Sequence, residues 1–125
     1  MNATQLPVYQ KAIEIFQISR AISSYFSDDK HIIEMETSQI ESDKYAGKIV
    51  MDSLQLAPSI ASAISARNKK LRRKRIEKTK KVVARLQSTC KRLELHHLKG
   101  SEFLELLRKE IYLFERLIND LPPKD

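Results

Sequence analysis

The 125-residue chain contains no tryptophan, only four phenylalanines and four tyrosines, two glycines, four prolines and one cysteine. Each scarcity excludes something. A β protein of this length needs turn residues every few positions, and two glycines with four prolines do not supply them. A lone cysteine, Cys90, forms no internal disulfide, so nothing ties the protein to an oxidising compartment. No apolar run approaches the roughly 18 residues of a membrane span. The first residues lack a basic stretch followed by an apolar one, so no secretory signal is expected and the expected location is the cytoplasm. With so few aromatics, the core must be built mainly from Leu, Ile, Val and Ala.

What the chain does have is charge, unevenly spread. Its net charge is +7. Residues 1–66 hold 5 Lys/Arg against 8 Asp/Glu, and residues 67–125 hold 18 against 8. Ten of the fifteen residues from Arg67 to Lys81 are basic, and Glu77 is the only acid among them. Such a concentration attracts anionic partners over distances comparable to the Debye length.

Four segments carry helical periodicity and none reads as a strand. Val8, Ala12, Ile15, Ser19, Ile22 and Phe26 recur at spacings of three and four, the mark of one buried face, which predicts a helix over residues 7–26. Thr4 is the expected N-cap and Pro7 suits the first turn. Ile13, Phe16 and Ile18 widen the apolar surface beyond what one neighbour covers. After Ser27-Asp28-Asp29, a polar and acidic stretch leads into a second helix over residues 38–66, striped by Ala46, Ile49, Val50, Leu54, Ala57, Ile60, Ala61 and Ile64. Pro58 lies inside it and should kink it near Ala57 or divide it, because proline removes one backbone hydrogen bond and clashes with the preceding turn. The third helix, over residues 70–95, turns Thr79, Val82, Val83, Leu86, Cys90 and Leu93 inward. The fourth, over residues 101–121, opens at Ser101 as N-cap and ends before Pro122-Pro123. Its stripe is Leu104, Leu107, Ile111, Phe114, Ile118 and Leu121. The expectation is one domain over residues 1–125, an all-α, antiparallel up-down-up-down four-helix bundle.

The basic run is the candidate site. Arg72, Arg73 and Arg75 offer planar forks for phosphate oxygens, Lys69, Lys70, Lys74, Lys78, Lys80 and Lys81 add point charges, and Arg67 and Arg85 complete the expected site. Cations in the first turns of a helix oppose its macrodipole, at a few tenths of a kcal/mol each. Their placement therefore serves something other than helix stability. No helix-turn-helix, zinc-ligand or basic-zipper pattern accompanies the run, so contact with the backbone of duplex DNA or structured RNA is the expected form. Few aromatics lie beside it in sequence, which argues against stacking of single-stranded bases. An acidic protein surface is the alternative partner. A membrane surface is not expected, because Leu71 and Ile76 alone oppose the cations before Val82.

No catalytic constellation, cofactor motif or metal site is expected. The adjacent His96 and His97 point about 100° apart on a helix and converge poorly on one ion. Cys90 falls on the buried stripe, the serines lack a His/Asp partner pattern, and no Gly-rich phosphate loop is present.

The segment Leu6-Pro7-Val8-Tyr9-Gln10-Lys11-Ala12, followed by Ile15-Phe16, resembles the opening of the "four helix bundle protein" family. That family includes proteins encoded in intervening sequences of large-subunit ribosomal RNA and is similar to accessory proteins of diversity-generating retroelements. Ser59-Ile60 followed by Ala63-Ile64 falls where the family carries its Ser-Ile…Asn-Ile-Ala-Glu-Gly segment, and Gly100 falls near its turn before the last helix. The chain departs from the pattern where Ala63, Ala66 and Arg67 stand in place of Asn, Glu and Gly. The resemblance implies an antiparallel four-helix bundle, a homo-oligomer often assembled as a ring of five, with a basic surface for nucleic acid.

Overall fold

Pro7 opens the first helix, as its fixed φ and missing N–H favour. In the computed structural model, which describes residues 2–27, 40–96 and 99–121, α1 spans Pro7–Ser27, α2 Glu41–Leu54, α3 Leu56–Ile64, α4 Lys69–His96 and α5 Ser101–Asn119. A single 3₁₀ turn, Ala3–Gln5, precedes α1. The described residues contain no strand, and the architecture is an all-α bundle. The polar and acidic stretch 28–39, His97 and the Pro122-Pro123 stop lie outside the described residues.

The helices pack as a ring of four columns. The first column, α1, contacts α2, α3 and α5, and α4 contacts the same three helices from the opposite corner. The seams of α1 with α2 and with α5 each carry a polar clamp. Ser23 Oγ donates to the Ala46 carbonyl between α1 and α2 at 3.0 Å. Lys11 Nζ meets Glu110 between α1 and α5 at 2.7 Å, and that bond holds the Lys11 ammonium above its ordinary pKa. Further along the same seam the ring of Tyr25 meets that of Phe103 edge-on, 5.4 Å between centroids. Residue numbers thus rise along α1 as they fall along α5.

The stripes find the core. Val8, Ala12, Ile15, Ser19, Ile22 and Phe26 of α1 are all buried, as are Leu104, Leu107, Ile111, Phe114 and Ile118 of α5. Burying apolar surface at about 25 cal/mol per Å² is what holds helices with so little intrinsic punctuation together. Ser19 Oγ is buried among them without a hydrogen-bond partner.

The second helix is divided, one of its two expected outcomes, and two expected caps need correction. The second helix is interrupted at Gln55, three residues before Pro58. The carbonyl of Leu54 would accept from the N–H of residue 58, and proline has none. Gln55 keeps right-handed helical dihedrals (φ −78°, ψ −17°), so the apolar face continues across the interruption. That face runs through Ser53 and Leu56, both buried, and leaves Leu54 45% exposed. Thr4 is not the N-cap of α1: it sits inside the 3₁₀ turn, where its N–H donates to Asn2 Oδ1 at 3.2 Å. Ser101 is the first residue of α5, and its N-cap is Gly100, left-handed at φ +87°.

Gly100 has two reasons to be glycine. A left-handed φ costs an L-residue roughly 1–2 kcal/mol. A Cβ there would also fall 2.6 Å from Tyr25 Cε1 and 3.2 Å from Phe26 Cζ. Gly100→Ala should therefore lower stability by about 1–2 kcal/mol, the half-exposed Tyr25 ring shifting to make room. Urea unfolding checks it, and a midpoint equal to the parent's would show that this turn is not held in the left-handed form.

Candidate nucleic-acid interface

The helix that bears the basic run begins without an acid in its first turn. What caps it is Asn68, whose Oδ1 accepts from the Leu71 N–H at 2.9 Å. The Asx residue satisfies one of the orphan donors that acids would otherwise neutralise. Beyond it, no residue from Arg67 to Lys78 is buried, and the first buried position of α4 is Thr79. The opening of α4, about 15 Å at 1.5 Å per residue, therefore presents its side chains mostly to solvent rather than to the core.

The eleven expected site residues separate into three groups. Arg67, Lys69, Lys70, Arg73, Lys74, Lys78 and Lys81 are exposed. Arg72, Arg75 and Lys80 are half-buried. Arg75 Nη1 donates to the Ser62 carbonyl at 2.7 Å, tying α4 to α3. Lys80 Nζ lies 3.5 Å from Glu77 Oε1, a partly exposed pair in which water still reaches the ammonium. Arg72 Nε is shielded from solvent and has no hydrogen-bond partner.

Arg85 stands apart. Its Nε and Nη2 fork onto the Asp52 carboxylate of α2 at 3.0 and 2.8 Å. The Asp52 side chain is only 8% exposed and that of Arg85 57%. The hydrogen bonds from Arg85 to Asp52 raise the guanidinium pKa further above its ordinary value. A buried carboxylate needs such a partner, so this guanidinium is engaged in joining α2 to α4.

The basic surface also continues past Lys81. Lys91 and Arg92 are exposed and lie 18 residues after Arg73 and Lys74, which is five helical turns on the same side of α4. The sequence carried that signal in its spacing. Between them, Ala84 and Ser88 are exposed and small, so a surface approaching α4 meets no bulky side chain there.

The residues weighed for other chemistry are placed as well. Cys90 is fully buried, and burial pushes its thiol up to about 12, so it stays protonated and unreactive at neutral pH. His96 is exposed, its ring 5.4 Å from that of Tyr45. Among the described residues no helix is long and apolar enough to cross a membrane. No protein-family model, curated protein or solved structure matches this chain.

Proposed function

We propose that this protein is a non-enzymatic nucleic-acid-binding or accessory protein that lays the solvent face of α4 on the phosphate backbone of structured RNA or duplex DNA. One observation carries the reading. Residues 69–78 hold seven basic side chains and one acid, and none of the ten is buried. Cations in that number destabilise the helix start through the macrodipole and through mutual repulsion at i,i+4. Phosphates relieve both effects, and release of their counterions drives the association. The resemblance to the four helix bundle family favours the same kind of partner.

The test is binding to labelled duplex DNA and structured RNA across a salt series. With about five phosphate contacts the slope of log affinity against log salt is about −4.5 on duplex DNA. Affinity then falls about 500-fold between roughly 50 and 200 mM salt. No binding to either ligand at low salt would overturn the reading and leave an acidic protein surface as the partner to seek.

The same reading includes self-association. Ile13 and Tyr25 of α1, and Phe103, Leu106 and Leu113 of α5, are large apolar or aromatic residues left exposed. Neighbouring helices that expose several such side chains favour a second copy over water. Light scattering should give a mass that is a multiple of 14.5 kDa, and a monomer at micromolar concentration would refute it.

A further inference from the structure

A second set of side chains adjoins the basic strip on the seam between α4 and α5. A surface depression there is bordered by Gln87, Lys91, Glu105, Arg108, Lys109 and Tyr112. Gln87 and Lys91 also border the neighbouring depression, which reaches Lys80 and Ser88. The strip and the seam are therefore continuous through Lys80 and Lys91, about 16 Å apart along α4.

The seam is more structured than the strip. Arg108 Nη1 donates to both Glu94 oxygens at 3.2 and 3.1 Å. Gln87 Nε2 donates to the Arg108 carbonyl at 3.1 Å. These bonds hold the Gln87 and Arg108 side chains in place, and Gln87 Oε1 and Arg108 Nε remain shielded with no hydrogen-bond partner. Tyr112 is 56% exposed, while its neighbours Ile111 and Phe114 on α5 are fully buried. Its ring is thus both accessible and carried on an anchored helix.

The composition selects the ligand. A bare run of phosphates does not suit this seam, because Glu105 and Glu115 stand among its lysines. A nucleotide does suit it. Its base can stack on the Tyr112 ring, its amino group can donate to the Glu105 carboxylate, and its phosphate can meet Lys91 or Lys109. Inside a continuous duplex the base is already stacked and paired, so only an unpaired one can enter. We propose that the α4–α5 seam holds one unpaired nucleobase while the adjoining backbone lies on α4, so that bulged or looped nucleic acid is preferred to a perfect duplex. This rests on the phosphate-binding reading of α4.

Two RNA duplexes that differ only in whether one 2-aminopurine is bulged or paired test it at low salt. The bulged duplex should bind about tenfold tighter, the effect of one aromatic–base stack, and its fluorescence should fall as the probe stacks on the ring. Tyr112→Ala should remove the preference and the quenching while leaving affinity for the paired duplex unchanged, and Tyr112→Phe should keep both. Equal affinities for the two duplexes, with α4 neutralisation still abolishing binding, would overturn the seam assignment alone. Absence of binding to either duplex would overturn the α4 reading together with this one.

Discussion

Replacing Lys70, Arg73, Lys74, Lys78 and Lys81 by glutamine should weaken nucleic-acid binding at least about hundredfold at low salt and leave the bundle folded. All five are exposed and point away from the core, so their replacement costs little packing. Each phosphate left without its cation should also flatten the salt dependence by about 0.9 on duplex DNA, a signature that general misfolding does not produce. The variant should be at least as stable as the parent, since the cations removed oppose the dipole of α4. Arg72 and Arg75 are poor choices for this experiment. Both are half-buried, and Arg75 holds the Ser62 carbonyl, so changing them mixes loss of charge with loss of a tertiary tie. Unchanged affinity and slope in the five-residue variant would refute α4 as the interface.

The α1 and α5 stripes were legible because a buried helical face needs only a period near 3.6 and a consistent apolar class. Elsewhere, size competed with period. In the second helix Leu54 looks like the better core residue, yet continuing from Ala46, Ile49 and Val50 puts Ser53 inward and turns Leu54 about 100° away. Ser53 tolerates burial because its hydroxyl donates to the Val50 carbonyl at 2.9 Å. Caps were misplaced for a different reason. Side-chain propensity favours Thr4 and Ser101, whereas the Gly100 turn is set by the rings of Tyr25 and Phe26 packed against it, which no local pattern reveals. The cap at Asn68 is of a type that sequence can signal, but it is overshadowed by the charges around it.

The candidate interface divides along the same line. Charge density alone marked residues 67–81, and helical spacing could have added Lys91 and Arg92. Spacing could not separate Arg85 from the cations around it. Its commitment to Asp52 joins positions 33 residues apart in the chain. Nor could it bring Lys109 and Tyr112 beside Lys91, because they arrive on another helix. Few aromatics lie near the basic run along the chain; packing α5 against α4 supplies one beside Lys91, beyond the end of the run.

Phe114→Ala should be the most damaging single truncation, because Phe114 is the largest fully buried side chain among the described residues. Phenylalanine-to-alanine changes in cores cost about 3–5 kcal/mol, part from lost transfer energy and part from the cavity left behind. Domains of ordinary stability have only about 5–15 kcal/mol in total, so the variant should be marginal, with its urea midpoint lowered by about 2 M. Leu113→Ala is the internal control. Leu113 is adjacent in sequence but exposed, and its truncation should cost less than about 1 kcal/mol in the isolated chain. The contrast tests the register of α5 directly, since a rotation of one residue would exchange the two outcomes. It also separates folding from assembly. If Leu113 lies between copies, Leu113→Ala should leave the midpoint unchanged in dilute protein and lower it only at concentrations where the parent associates. Equal, concentration-independent losses for the two variants would mean that Leu113 is a core residue and that α5 is rotated from the orientation described.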